Sequence, residues 1–189
     1  WFSLLLQEGA RPYQNKLIPK PRIKSIFYQK NNIRFQKKDD YITRNNDIYS
    51  NKLAQFVFDC DKITKGLVIK RLEYMYDYIF IDELQDLSGY DLDFVELLLH
   101  SRINLICVGD PRQATFSTNT ALRNKQFRGK QIDLWIKELD SKKLIKLINK
   151  NDCRRCNQEI CDFADTLNPE YPKTVSMNHE KTDQDGIFC

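Results

Sequence analysis

The feature that most constrains this chain is a short apolar run that ends in two carboxylates, Ile79-Phe80-Ile81-Asp82-Glu83. A second apolar run, Ile103–Val108, ends at Gly109-Asp110, and between the two Tyr90–His100 carries apolar residues at helical spacing. Continuous apolar runs of this length are typical of strands buried on both faces of a parallel sheet, and a helix between them is typical of a crossover connection. The pattern therefore predicts an α/β fold.

Other periodic segments extend this alternation. Residues 1–9 predict a helix that ends near Gly9, and Pro12, Pro19 and Pro21 are expected to interrupt regular structure after it. Asn31-Asn32 indicates a hairpin within Ile26–Tyr41. Further elements are predicted downstream: two helices within 52–76 around Asp61–Lys65, a helix over Ile132–Leu139, a third strand over Lys143–Ile148 and a helix over Asn157–Leu167.

Polar clusters follow both apolar runs, at Asp82–Asp86 and at Gly109–Gln113. Ligands of open α/β sheets bind at the carboxyl ends of the strands, so both clusters are expected at a ligand site. Of two adjacent carboxylates, one can hold Mg²⁺ through water and the next can polarise a water that attacks a phosphate. The alternative is that Asp82-Glu83 only caps a helix.

Composition favours a soluble, cytoplasmic protein. The 189 residues are 41% hydrophobic and 30% charged, and no run of eighteen apolar residues predicts a membrane span. Trp1–Leu6 does not resemble a secretion signal. The six cysteines are expected to be reduced thiols. Cys153, Cys156 and Cys161 allow a zinc or iron–sulfur site as an alternative, although a second Cys-x-x-Cys pair is missing.

Positive charge is concentrated near the start of the chain. Nine basic residues and no acidic ones lie between Arg11 and Lys38, with aromatic residues among them. Such a stripe can neutralise phosphates and stack on unpaired bases, which makes Lys16, Lys20, Arg22 and Lys24 candidate nucleic-acid contacts. The alternative is a solvated surface loop.

Three motifs together resemble the UvrD/Rep-like superfamily 1 DNA helicases. Asp82-Glu83-Leu84-Gln85-Asp86 resembles their Walker B motif, and Gly109-Asp110-Pro111-Arg112-Gln113 resembles their Gly-Asp-x-x-Gln motif. Cys153-Arg154-Arg155-Cys156, with Glu159-Ile160 and Phe163-Ala164 after it, resembles the opening of their second RecA-like domain. The order and the preceding strands also match the family.

The resemblance implies a role for each matching residue. Asp82 would support Mg²⁺, Glu83 would be the general base of ATP hydrolysis, and Gln113 would sense the γ-phosphate. Arg155, or else Arg154, would reach that phosphate from the second domain. Gln85 and Asp86 would help to couple the two motifs, and the remaining nucleotide-site residues implied are Gly109 and Asp110. Phe116 would stack on a DNA base, although Ser117-Thr118-Asn119 replaces the Gly-Trp-Arg that often follows in the family.

The resemblance also implies an incomplete RecA-like P-loop NTPase core. No Gly-x-x-x-x-Gly-Lys-Ser/Thr run occurs, since Gly129-Lys130 is followed by Gln131. Residues 1–140 would be a partial first RecA-like domain, with a reduced inserted subdomain over about 10–70, and 141–189 would open the second. The phosphate loop and later motifs are expected in the remainder of the helicase chain.

The implied function is part of an ATP-dependent helicase or translocase that moves on single-stranded DNA, with RNA as another possible track. This isolated chain is expected to be inactive because the phosphate cradle is absent. One alternative is an inactive scaffold that binds nucleic acid or protein. Another is a two-metal nuclease, for which Ile103–Val108 supplies no further carboxylate. The many Lys, Asn and Ile residues are typical of an AT-rich bacterial genome.

Overall fold

The structure is a computed structural model that describes residues 1–18, 22–28, 41–115, 117–118 and 122–178. It divides into two compact units, Trp1–Ile145 and Lys146–Cys189. None of the helices in the described ranges is long and apolar enough to cross a membrane.

The first unit begins with one irregular helical segment. It comprises α1 (Phe2–Leu4), a π-helical turn (Leu5–Ala10), α2 (Arg11–Tyr13) and a 3₁₀ turn (Gln14–Lys16). The predicted end near Gly9 and the predicted break at Pro12 were therefore wrong. The wide π turn shifts the hydrogen bonding just before Pro12, and the Arg11 N–H bonds to the carbonyl of Leu6. Gly9 lies against Val57, where a Cβ atom would approach within 2.6 Å of a methyl group.

Two short strands follow this helical segment. Strand β1 (Ile26–Phe27) pairs in parallel with β2 (Ile48–Tyr49), and Ile42 forms an isolated antiparallel bridge with Ile48. The predicted hairpin within Ile26–Tyr41 falls mostly on residues 29–40, outside the described residues.

The two helices predicted within 52–76 are confirmed as α3 (Ser50–Ile63) and α4 (Leu67–Met75). Gly66, at φ 89°, supplies the left-handed residue that turns the chain between them. Asp61 then accepts a hydrogen bond from the Ile69 N–H at 3.1 Å, which satisfies an amide in the first turn of α4. Helix α3 buries Leu53, Phe56 and Val57, so it forms the centre of the unit's core.

The predicted strand–helix–strand unit is confirmed as β3 (Tyr78–Ile81), α5 (Tyr90–Leu99) and β4 (Asn104–Cys107). The strands are parallel, in a register that runs from Tyr78 opposite Asn104 to Ile81 opposite Cys107. The sequence predicted that these strands are buried on both faces, and this prediction was wrong. Ile79 and Ile81 face the core, whereas Phe80 on the other face is 71% exposed, because no described element of this unit covers that face.

Helix α6 (Ile132–Ser141) confirms the predicted helix and buries Ile132, Trp135 and Leu139. The predicted third strand over Lys143–Ile148 was wrong. Lys143 takes a left-handed conformation, and the Leu144 N–H returns to the Leu139 carbonyl, so these residues end the helix instead.

The second unit contains β5 (Asp152–Cys153), α7 (Gln158–Thr166) and β6 (Val175–Ser176). The two strands are parallel, with Asp152 opposite Val175. Asn157 caps α7 by accepting a hydrogen bond from the Ile160 N–H at 3.0 Å, which accounts for the predicted helix starting here.

Candidate functional site

The two adjacent carboxylates lie at the carboxyl end of β3, and both are exposed. The Asp82 carboxylate accepts a hydrogen bond from the Glu83 N–H at 2.9 Å. Glu83 has φ 54° and ψ 46°, a left-handed conformation that costs a non-glycine residue free energy. This residue carries the chain from β3 into the 3₁₀ turn Leu84–Asp86.

Backbone pairing continues past both strands and brings the two polar clusters together. The Val108 N–H donates to the Ile81 carbonyl at 2.8 Å, and the Leu84 N–H donates to the Val108 carbonyl at 3.0 Å. The residues after β3 and those after β4 therefore share one edge of the sheet, as the sequence predicted for a parallel pair.

Gln85 connects the two clusters through its side-chain amide. Its Nε2 donates to the Glu83 carboxylate at 2.5 Å, and its Oε1 accepts from the Asp110 N–H at 3.0 Å. The side chain is buried, with 4% of its surface exposed. A buried amide that is bonded at both ends fixes the Glu83 carboxylate relative to Gly109–Gln113.

Gly109 allows this approach because it has no side chain. A Cβ atom there would lie 2.7 Å from Gln85 Oε1 and 3.1 Å from the Leu84 backbone nitrogen. Both distances are shorter than ordinary van der Waals contacts, so a larger residue would displace the Gln85 amide.

Asp110 organises the turn that carries Gln113. Its carboxylate accepts from the Arg112 backbone N–H at 3.0 Å, from Arg112 Nε at 3.0 Å and from Gln113 Nε2 at 3.1 Å. Burial alone would raise the pKa of Asp110, but the hydrogen bonds and charge of Arg112 and the bond from Gln113 outweigh it, so the pKa is lowered. The group is therefore ionised at neutral pH and holds the exposed Gln113 side chain.

Asp86, at the end of the first cluster, and Ser88 just after it contact Thr118 and Ser117. The Asp86 carbonyl accepts from the Thr118 N–H at 2.8 Å, and the Ser88 and Ser117 hydroxyls are 2.7 Å apart. Burial and the nearby Glu83 charge raise the pKa of the Asp86 carboxyl. Phe116 itself, the predicted base-stacking residue, lies outside the described residues.

Asp91, a fully buried carboxyl in the first turn of α5, was not among the site residues predicted from the sequence. Its oxygens accept from Trp1 Nε1 at 2.6 Å and from the Thr118 hydroxyl at 2.7 Å. Burial raises the pKa of Asp91 to about 6, although both hydrogen bonds act to lower it. An acidic residue in the first turn of a helix is ordinary, and its partners lie far away in sequence, so no local pattern pointed to it.

The basic stripe is only partly available for binding. Lys16, Arg22 and Lys24 are exposed, whereas Lys20 lies outside the described residues. Arg11 is used within the fold, where its guanidinium donates to the carbonyls of Ile23, at 3.2 Å, and of Lys24.

In the second unit, Arg154 and Arg155 are both exposed in the turn between β5 and α7. Cys153 and Cys156 flank them and Cys161 lies in α7. Nevertheless, across the described ranges no group of three or more His, Cys, Asp or Glu side chains is arranged to hold a metal ion.

A family model of the UvrD/REP helicase N-terminal domain matches residues 14–127, more than half of the chain. The chain belongs to the UvrD/Rep helicase family. The matched range contains both clusters at the sheet edge, Asp82–Asp86 and Gly109–Gln113. The resemblance inferred from these motifs is thereby confirmed.

This helicase-family chain is also similar to the RecBCD enzyme subunit RecB of Borreliella burgdorferi, with 30% identity over 128 residues. That match covers 64% of the chain but 11% of the relative. The chain thus corresponds to a small part of this relative.

Proposed function

We propose that this chain is part of an ATP-dependent DNA helicase or translocase, in which Asp82–Asp86 and Gly109–Gln113 form one side of the ATP site. The observation that carries the proposal is the Gln85 amide, which bonds to Glu83 and to the Asp110 N–H at the same sheet edge. A general base must be fixed relative to the phosphate it serves, and this bridge supplies such a constraint.

Asp82 is the proposed support for Mg²⁺. Magnesium in nucleotide sites is held by one or two carboxylates together with water and phosphate oxygens, and the exposed Asp82 carboxylate fits that donor set. When bound, the ion would neutralise charge on the phosphates.

Glu83 is the proposed general base. Its carboxylate is exposed to solvent, and the Gln85 amide orients one of its oxygens. The other oxygen is then the one to accept a proton from water as it attacks the γ-phosphate. Gln113, held on Asp110, would present its amide to the same phosphate.

Arg155 is proposed to reach that phosphate from the second unit, with Arg154 as the alternative. A guanidinium makes two parallel hydrogen bonds to phosphate oxygens and keeps its charge at all working pH values. We assign the first unit to part of the first RecA-like domain, including a reduced inserted subdomain over about 10–70. The second unit would open the second RecA-like domain.

One face of the β3–β4 pair is apolar and exposed, which indicates that another element packs against it in the complete protein. Phe80, Val108 and Tyr78 on that face are 71%, 61% and 56% exposed. Adjacent exposed apolar side chains of this size mark a surface that another element covers. We propose that the remainder of the helicase chain, including its phosphate loop, covers it.

Single-stranded DNA is the proposed track, with RNA as an alternative. The exposed Lys16, Arg22 and Lys24 would neutralise phosphates, together with Lys20. Phe116 would stack on a base. Neutralising these four basic residues should weaken DNA binding and reduce its salt dependence, which a titration at several salt concentrations measures.

The second candidate function is an inactive scaffold that binds nucleic acid or protein. The 189 residues contain no Gly-x-x-x-x-Gly-Lys-Ser/Thr run, which favours this alternative if the parent protein lacks one as well.

The deciding experiment measures ATP hydrolysis by the intact parent protein with and without single-stranded DNA. We expect DNA-stimulated hydrolysis in the natural protein and a loss of about 10²-fold or more in Glu83→Gln. Glu138→Gln, at a partly exposed position on α6, is the matched control and should keep full activity. Equal loss in both variants would count against Glu83 as the base, and an inactive parent would favour the scaffold. The isolated 189-residue chain should show negligible hydrolysis.

A further inference from the structure

The turn that carries Arg154 and Arg155 begins and ends in cysteines whose backbones are fixed. The Met177 N–H donates to the Cys153 carbonyl at 2.7 Å, and the Ser176 hydroxyl donates to the Cys156 carbonyl at 2.8 Å. Both ends of the turn are therefore held against β6 and the residue after it. This arrangement keeps the two cysteines close together in the folded chain.

The Cys153 sulfur contacts its neighbours directly. It accepts a hydrogen bond from the Cys156 backbone N–H at 3.3 Å. The Cys161 thiol lies nearby and donates to the Cys156 carbonyl at 3.9 Å. Cys153 and Cys156 are both half-buried and so remain accessible to a small reagent, whereas Cys161 is buried.

Thiol–disulfide exchange requires a thiol with a low pKa, and Cys153 has the pKa that is lowered. The Cys156 N–H, with further hydrogen bonds, lowers the pKa of Cys153 despite its partial burial. Burial and the hydrogen bond to Cys153 raise the pKa of Cys161 to about 11. In the first unit, burial raises the pKa of Cys60 to about 12 and that of Cys107 to about 11. Only a thiolate attacks a disulfide, so Cys153 is the reactive sulfur among these four.

We propose that Cys153 and Cys156 form a reversible disulfide, which makes this turn a site of oxidative modification. The co-reactant is a low-molecular-weight disulfide of the glutathione class. The redox reaction converts two protein thiols and one such disulfide into one protein disulfide and two small thiols.

The reaction has two balanced steps. The Cys153 thiolate attacks one sulfur of the small disulfide, a new S–S bond forms, and the first small thiolate leaves. Cys156 then loses its proton and attacks the Cys153 sulfur of the mixed disulfide. The protein S–S bond forms, the second small thiolate leaves, and solvent protonates both small thiolates.

The bridge would act on Arg155, which lies between the two sulfurs in sequence. Closing the ring adds a covalent S–S link beside the N–H···S contact and restricts the backbone of Arg154 and Arg155. This consequence rests on the proposed role of Arg155 in ATP hydrolysis. Formation of the disulfide does not depend on that role.

The test treats the folded 189-residue chain with glutathione disulfide, blocks remaining thiols with N-ethylmaleimide and maps peptides by mass spectrometry. We expect a Cys153–Cys156 bridge that dithiothreitol reverses. Cys153 should react about tenfold or more faster than Cys161, because its larger thiolate fraction outweighs its lower intrinsic nucleophilicity. A Cys153–Cys161 bridge, or equal reaction of all the cysteines, would overturn the proposal.

Single variants separate the two steps. Cys156→Ser should stop at a mixed disulfide on Cys153, whereas Cys153→Ser should leave Cys156 reduced. Cys161→Ser is the matched control, and it should still form the bridge. A Cys153→Ser variant that is modified at Cys156 at the natural rate would contradict the assignment of Cys153.

ATP hydrolysis of the intact parent is measured as a separate readout. Slower hydrolysis after oxidation, restored by dithiothreitol, would support both the bridge and the role of Arg155. A mapped bridge with unchanged hydrolysis would leave the modification site standing and count against Arg155.

Discussion

At the residue scale, the close approach of Gly109 to Gln85 governs how the two polar clusters meet. Gly109→Ala would place a Cβ atom 2.7 Å from Gln85 Oε1. We expect a loss of about 1–3 kcal/mol in the free energy of unfolding, which is the usual cost of overpacking. Urea denaturation measures it.

A double-mutant cycle isolates the cause of that loss. In a Gln85→Ala background the nearest clashing atom is gone, so the added cost of Gly109→Ala should shrink. The contact to the Leu84 backbone nitrogen, at 3.1 Å, should leave a smaller residual cost. Equal costs in the two backgrounds would show that the Gln85 amide is not what excludes a side chain at position 109.

Asp91 is the residue whose protonation should make stability depend on pH. Burial raises its pKa from 3.8 to about 6, so the folded state binds a proton more tightly than the unfolded state does. The free energy of unfolding should therefore fall as pH rises from about 4 to about 6, by roughly 3 kcal/mol. Above that range the contribution should be constant.

Asp91→Asn provides the comparison, since it cannot ionise and keeps a side-chain oxygen as an acceptor. The free energy of unfolding of the natural chain, minus that of the variant, should decrease between pH 4 and pH 7. Parallel pH curves for the two proteins, measured by urea denaturation, would exclude Asp91 as the titrating group.

At the element scale, strand β3 has one buried face and one exposed face. Substitutions at adjacent residues of the strand should therefore differ in their effect on stability. Ile81 is 5% exposed and Phe80 is 71% exposed. In this chain, Ile81→Ala should cost about 2–5 kcal/mol of unfolding free energy, the usual range for a core isoleucine. Phe80→Ala should cost about 0.5 kcal/mol or less, as is usual at an exposed position. Thermal denaturation of the two variants makes the comparison.

Similar costs for the two substitutions would mean that both faces of the strand are covered in solution. The same two substitutions, made in the intact parent protein, test whether another element covers the exposed face of β3. If the remainder of the helicase packs on this face, Phe80→Ala should become destabilising there.

At the scale of the whole molecule, the apolar core lies almost entirely in the first unit. Among the described residues, Cys161 is the one buried apolar side chain within 146–178. A chain truncated after Ile145 should therefore unfold cooperatively, with a urea midpoint close to that of the full chain. A broad transition without cooperativity, followed by circular dichroism, would show that residues 146–189 support the first unit.

The family and the elements around the sheet edge could be predicted because their signals are local. Continuous apolar runs before Asp82 and before Gly109 marked β3 and β4, and apolar spacing marked α5 and α6. The motif residues lie next to these strands in sequence, so their meeting at one sheet edge followed from parallel pairing.

Tertiary packing decided the features that depend on distant partners. Lys143–Ile148 has apolar residues suited to a strand. Instead, the N–H groups of Lys143 and Leu144 bond to carbonyls of α6, so the first residues of this segment end that helix. The burial of Asp91, its bonds to Trp1 and Thr118, and the open face of β3 depend on which elements pack against them. Sequence alone determined the identity and order of the motifs, because these are properties of neighbouring residues. The resemblance implied that Gln85 couples the two motifs, but only the fold determined the atoms that Gln85 bonds, the exposure of each side chain and the proton affinity of Asp91, because these depend on atoms that are distant in sequence and close in space.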